Sequence, residues 1–84
     1  MVTRDFSGEG IVRVLCNTGN FWVDRIVGDH YILKWEHPDG PEVEQRTVSV
    51  PYHDSASIGT LHDIADDAGA KDFEAFCEWI DRNR

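Results

Sequence analysis

The sequence predicts an α+β fold in which a three-stranded antiparallel sheet carries helices on one face, in the order α-β-β-β-α-α. Three observations lead to this prediction. Apolar residues recur at helical spacing near both ends of the chain, runs of β-branched and aromatic residues lie between them, and turn-forming residues separate those runs.

The first helix is predicted to begin after Ser7, whose hydroxyl can cap the helix, with Glu9 in the first turn. Apolar residues then follow at helical spacing from Ile11 to Cys16. Gly19 is expected to end the helix in a left-handed conformation, which glycine adopts without strain.

Three strands are predicted next, at residues 21–27, 30–37 and 44–50. Gly28 and Asp29 separate the first two strands, and the turn Pro38-Asp39-Gly40-Pro41 separates the second from the third, which Pro51 closes. Because the connections are short, the three strands should form an antiparallel meander.

Two helices complete the predicted fold. The first of them should be capped at Thr60 and end before Gly69, and the second should be capped by Asp72 and cover about residues 72–82. This order is that of the double-stranded-RNA-binding-domain-like fold with one extra C-terminal helix. With 84 residues, the chain (1–84) has room for one domain.

The composition is strongly acidic, with 16 Asp and Glu against 8 Lys and Arg and a net charge of −8. Such a surface fits a high-salt cytoplasm, an acidic partner surface, a nucleic-acid mimic, or simple solubility. No apolar run is long enough to span a membrane and no signal-peptide pattern is present, so we expect a cytoplasmic protein with no membrane partner.

Cysteine and tryptophan usage excludes several kinds of site. Cys16 and Cys77 have no metal-ligand spacing, so we expect no structural metal, and two buried thiols on packed helices are favoured over a disulfide. We also expect no cofactor. The three tryptophans, Trp22, Trp35 and Trp79, are expected in the core.

Three short motifs occur in a fixed order: Gly28-Asp29-His30 before the second strand, Val50-Pro51-Tyr52-His53 at the end of the third, and Gly59-Thr60-Leu61 at a helix start. Together they resemble the HicA toxins of HicA–HicB toxin–antitoxin modules, over about residues 7–70. That family typically has serine where this chain has Asp29.

The resemblance implies a ribosome-independent endoribonuclease that cleaves mRNA and is held inactive by a HicB-like antitoxin. It implies His30 as the catalytic histidine, with Gly28, Asp29, Pro51, His53, Gly59 and Thr60 as residues that support the motifs. His53 is expected to stabilise its loop. Asp29 can either repel the scissile phosphate or orient the His30 ring.

The residues themselves fit metal-independent acid–base catalysis on RNA. RNA carries its own nucleophile, the 2′-hydroxyl, so one imidazole can move the protons. Strand alternation places His30 and Lys34 on one face, opposite Tyr31, Leu33 and Trp35. Lys34 is therefore predicted to bind phosphate, with Arg25 and Arg46 on the flanking strands as weaker candidates.

Two other functions stay open. The first is a catalytically inactive module of the same fold that binds RNA or the antitoxin, which Asp29 and the net charge favour. The second is an acidic interaction protein or nucleic-acid mimic, which charge alone favours. Carboxylates on every side of His30 would argue against a nuclease, because phosphate needs cations nearby.

Overall fold

The computed structural model describes residues 5–84 and has the predicted order of elements. The elements are α1 (Gly8–Asn17), β1 (Trp22–Val27), β2 (His30–Glu36), β3 (Gln45–Pro51), α2 (Ile58–Asp67) and α3 (Phe73–Asn83). None of the helices within residues 5–84 has the length and apolar content needed to cross a membrane.

The three strands form one antiparallel sheet in the order β1-β2-β3, which confirms the predicted meander. Central strand β2 is paired along its whole length with β3, from His30 opposite Pro51 to Glu36 opposite Gln45. Its pairing with β1 shifts by one residue between Val23 and Arg25, which is a β-bulge. His30 therefore begins the central strand, at one end of the sheet.

The core lies between one face of the sheet and the three helices. Leu33, Val48 and Val50 are fully buried on that face, and the helices supply most of the remaining core side chains. The buried hydrophobic residues are Phe6, Ile11, Val12, Val14, Leu15, Phe21, Leu33, Val48, Val50, Ala56, Leu61, Ile64, Ala65, Phe76, Cys77 and Ile80. In the described chain, the side chains of His30, Ile32 and Lys34 lie on the opposite face of the sheet.

The helix caps agree with the sequence at two of three positions. Ser7 accepts a hydrogen bond from the Gly10 N–H at 3.0 Å, and Asp72 accepts one from the Ala75 N–H at 3.1 Å. The predicted cap at Thr60 is wrong, because α2 begins earlier and Ser57 accepts the Thr60 N–H at 3.2 Å. Thr60 therefore lies inside the first turn of α2.

The end of α1 also differs from the prediction. The left-handed residue there is Asn20, with φ 62°. Gly19 does not have a positive φ. Gly19 is required for close packing instead. An added Cβ would lie 2.9 Å from the Leu15 carbonyl oxygen and 3.1 Å from the Trp79 ring.

The two cysteines are free thiols on α1 and α3, but only Cys77 is buried as expected, whereas Cys16 is half-buried. Burial raises the pKa of the Cys16 thiol, so less thiolate is present at a given pH in the folded than in the unfolded chain.

We expect iodoacetamide at pH 8 to alkylate Cys16 several-fold more slowly in the folded protein than in urea, and to alkylate Cys77 only in urea. Mass spectrometry of peptides from the protein and from its Cys16→Ser variant measures both rates. Equal rates with and without urea would contradict this prediction.

Candidate functional site

His30 lies at the tight turn between β1 and β2. Gly28 adopts φ 61° in this turn, and nothing lies within 4 Å of the position that its Cβ would occupy, so the turn is open to approach. The His30 side chain is half exposed, and its Nδ1 lies 3.3 Å from Oδ1 of Asp29. The carboxylate thus lies beside Nδ1, and Nε2 is the ring nitrogen farther from it.

The loop after β3 is fastened to this turn. The Tyr52 N–H donates to the Asp29 carbonyl at 3.0 Å, and the Tyr52 ring stacks on Tyr31 with centroids 4.0 Å apart. On the other side of the loop, the Gly8 N–H donates to the Asp54 carbonyl at 2.8 Å. These contacts connect the first two sequence motifs physically and position the backbone that carries His30.

Partial burial raises the pKa of the Tyr52 phenol, and the nearby Glu9 carboxylate raises it further. Tyr52 therefore stays neutral through the physiological pH range. His53 lies beside it, with its ring edge against the Tyr52 ring at a centroid distance of 5.2 Å. This contact fits the predicted role of His53 in stabilising the loop.

The sheet face away from the helices, here called the open face, carries two of the three cations predicted to bind phosphate. Register places Lys34 on the same face as His30, and Arg25 lies on β1 opposite Ile32, which is also on this face. Arg25 is ion-paired with the adjacent Asp24 at 2.6 Å. Two of the three predicted cations therefore lie on the face that carries His30.

Arg46 lies on the other face of the sheet. Its partner across the ladder is Trp35, which is on the helix side, and its guanidinium lies over Gly69 at the end of α2. Arg46 also donates to the Glu44 carboxylate. The structure does not bring Arg46 together with His30.

Trp22 differs from its predicted place in the core. It is 43% exposed and lies opposite Lys34, on the open face. Trp35 and Trp79 are half-buried and pack against the core. An exposed indole near a lysine is a suitable surface for stacking a nucleobase.

A groove of about 460 Å³ runs from His30 along β3 to α2. The residues that line it are His30, Ser49, Pro51, Asp54, Ser55, Ser57, Thr60, Asp63 and Asp67. Carboxylates therefore flank His30 on the α2 side, while Arg25 and Lys34 lie on the sheet side. Carboxylates do not surround the histidine on every side.

Sequence reasoning missed the acidic residues of this groove. Asp63 and Asp67 are four positions apart on α2, so the helical period itself places them on one side of the helix. Which element that side faces depends on how α2 packs beside β3.

Gly59, in the first turn of α2, has nothing within 4 Å of an added Cβ. Residues 5–84 contain no group of three or more His, Cys, Asp or Glu side chains placed to hold a metal ion.

Comparison with protein-family models gives a match to the family described as HicA toxin of bacterial toxin–antitoxin, over residues 8–70. Comparisons with curated proteins and with solved structures gave no match. The matched residues run from the start of α1 past the end of α2 and include all three motifs, with α3 beyond them. Because the match covers most of the chain, this protein belongs to the HicA toxin family of bacterial toxin–antitoxin systems.

Proposed function

We propose that this protein is the toxin of a toxin–antitoxin module and cleaves mRNA as an endoribonuclease, with His30 as general acid and base. The observation that carries the proposal is the half-exposed His30 imidazole, which shares the open face with Lys34 and Arg25 and has Asp29 at its Nδ1. Membership of the HicA toxin family supports an RNA-cleaving activity in general.

The proposed reaction uses the RNA's own nucleophile. With Asp29 beside Nδ1, Nε2 of His30 accepts the proton of a ribose 2′-hydroxyl, whose oxygen attacks the adjacent phosphorus. The bond from phosphorus to the 5′ oxygen breaks, and that oxygen takes up the proton from the His30 imidazolium, which returns the ring to its neutral form. The products are a 2′,3′-cyclic phosphate end and a 5′-hydroxyl end. General acid–base catalysis of this kind contributes about 10²–10⁴-fold.

The charges around His30 favour one direction of approach for the RNA backbone. Lys34 and Arg25 neutralise phosphates on the open face, and Trp22 offers a ring on which a base can stack. Asp63 and Asp67 repel phosphate on the α2 side. The RNA backbone should therefore approach His30 across the sheet rather than along the groove.

The proposed protein partner is a HicB-like antitoxin that covers His30 and the open face. Its contacts there would block RNA by occupying the same cations. Purified antitoxin added in equimolar amount should therefore stop cleavage.

The direct test is incubation of the protein with a long single-stranded RNA in EDTA, from low to multimolar KCl. At about 1 M salt the Debye length is about 3 Å, so repulsion by distant carboxylates is screened and cleavage should persist or increase. The expected products carry 5′-hydroxyl ends, which polynucleotide kinase labels without prior phosphatase. Products with 5′-phosphate ends, or cleavage that EDTA abolishes, would contradict the proposed chemistry.

We predict that Asp29 orients the His30 ring and that its negative charge weakens RNA binding. Asp29→Ala should lower kcat about tenfold, because Nδ1 loses its partner at 3.3 Å. Asp29→Ser keeps a hydrogen-bond acceptor without the charge, so kcat should be retained while KM falls about threefold through lost repulsion of phosphate. Steady-state cleavage of a short fluorescent RNA separates kcat from KM. Identical kinetics for the alanine and serine variants would exclude an orienting role.

A catalytically inactive module of the same fold is the second candidate. The acidic groove beside His30 and the carboxylate of Asp29 favour it, because both repel phosphate. In that case the protein would bind RNA or the antitoxin, and neither the parent nor the Asp29→Ser variant would cleave RNA at any salt concentration.

A further inference from the structure

Strand β1 is an edge of the sheet with unusually apolar residues. Within residues 5–84 its ladder pairs it only with β2, and all six of its residues are exposed. Trp22, Val23, Ile26 and Val27 are 40–57% exposed and are four of the six exposed large hydrophobic residues of the described chain. Exposed apolar edge strands tend to pair with another strand.

The β-bulge gives β1 an uncommon pattern of faces. Trp22 and Val27 lie opposite Lys34 and His30, so both are on the open face, although they are five positions apart. Val23 and Ile26 lie opposite Leu33 and Tyr31, on the helix side. At the bulge between them, Asp24 and Arg25 approach each other to 2.6 Å, which adjacent residues of a regular strand cannot do because they point to opposite faces.

We propose that β1 pairs antiparallel with β1 of a second copy of this chain, about a two-fold axis between Asp24 and Arg25. Trp22 then lies opposite Val27 of the second copy, and Val23 lies opposite Ile26 of the second copy. Asp24 lies opposite Arg25 of the second copy, so two ion pairs form across the interface and each copy supplies the aspartate of one pair and the arginine of the other. The two apolar pairs match in the face on which they lie, and the charged pair matches in chemistry.

The bulge favours a second copy over an unrelated strand. A bulge opposite a regular strand leaves one residue unmatched, which is how bulges commonly protect edges. The second copy carries the same bulge at the two-fold axis, so the extra residue of one strand faces the extra residue of the other. The resulting six-stranded sheet has one continuous open face.

This pairing does not depend on RNA cleavage. Each copy carries a net charge of −8, so the two copies repel each other over long distances and association should strengthen as salt screens that repulsion. The local Asp24–Arg25 pairs act at short range, where screening matters less.

Sedimentation equilibrium at loading concentrations from about 10 µM to about 1 mM tests the proposal, in low salt and in about 2 M KCl. We expect mass to rise from that of one 9.6 kDa chain toward twice that value, and more readily in high salt. Asp24→Arg and Arg25→Asp each place like charges opposite each other at two positions, so each variant alone should dimerise at least about tenfold more weakly. An equimolar mixture of the two variants restores opposite charges in the mixed dimer and should regain the parent's association.

A matched pair of variants tests the apolar contact. Ile26→Lys and Val43→Lys remove side chains of similar exposure, 54% and 56%, and make the net charge less negative by the same amount. Only Ile26→Lys should prevent dimerisation, with circular dichroism confirming that both variants are folded. A parent protein that stays monomeric throughout, equal effects of the two lysines, or a mixture of charge variants that fails to associate would each overturn the proposal.

Discussion

Replacing His30 by alanine should reduce RNA cleavage at least about 100-fold and leave the fold unchanged. In the proposed reaction this imidazole moves the proton of the attacking 2′-hydroxyl, which is worth about 10²–10⁴-fold in rate. The side chain is half exposed and lies outside the core, so its loss removes little packing. Single-turnover cleavage of a labelled RNA gives the rate constant, and thermal unfolding measures stability.

His37→Asn is the matched control for this substitution. His37 lies just beyond the opposite end of β2, where its Nδ1 accepts the Asp39 N–H at 3.0 Å, and an asparagine oxygen can accept the same bond. This variant should cleave RNA as fast as the parent protein. Equal cleavage rates for His30→Ala and the parent would show that His30 takes no part in the reaction. They would favour the binding module, with any cleavage due to a contaminating nuclease. Heat-denatured protein is the control for such a nuclease.

Gly8→Ala should destabilise the protein by about 3 kcal/mol, because an added Cβ has no space. It would lie 2.7 Å from the Pro51 carbonyl carbon and 2.8 Å from the Tyr52 Cα, both of which are backbone atoms. Relief requires moving the loop after β3, which the Asp54 carbonyl and the Tyr52 N–H hold in place. For a chain of this size, the loss corresponds to a fall in Tm of about 12–24 °C in calorimetry.

Gly59→Ala is the control for Gly8→Ala. Nothing lies within 4 Å of its added Cβ, and the residue is in a helix, so alanine should raise stability by about 0.5–1 kcal/mol. If Gly8→Ala lowers the stability and Gly59→Ala raises it, the loss at Gly8 is due to the lack of space beside the loop after β3. A destabilisation of similar size at both positions would contradict this explanation.

Much of the fold follows from local pattern. The strands agree with the prediction within one residue at each end because alternation and the Pro-Asp-Gly-Pro turn mark them clearly. The ends of helices were less predictable. Ser57 displaces Thr60 as the cap because the loop from β3 reaches α2 one turn earlier. The left-handed conformation falls on Asn20, one residue after the predicted Gly19, and the Phe21 N–H that follows donates to the Leu15 carbonyl.

The site was predictable only in part. Alternation correctly placed Lys34 on the face of His30, and the same rule would have placed Arg46 with Val48 and Val50, on the buried side. The β-bulge at Asp24 and the packing of α2 beside β3 are properties of the assembled sheet. No local pattern in the sequence revealed the position of Trp22 on the open face or the acidic groove next to His30.

In the proposed reaction, the uneven charge around His30 affects which shape of RNA can reach the imidazole. A flexible single strand can bring one phosphate to the imidazole, with its neighbours over Lys34 and Arg25, and then bend away before it reaches Asp63 and Asp67. An A-form duplex is too stiff to turn within a few nucleotides and would hold phosphates against those carboxylates. The same residues that weaken binding in general would thus direct cleavage to unpaired stretches of a transcript.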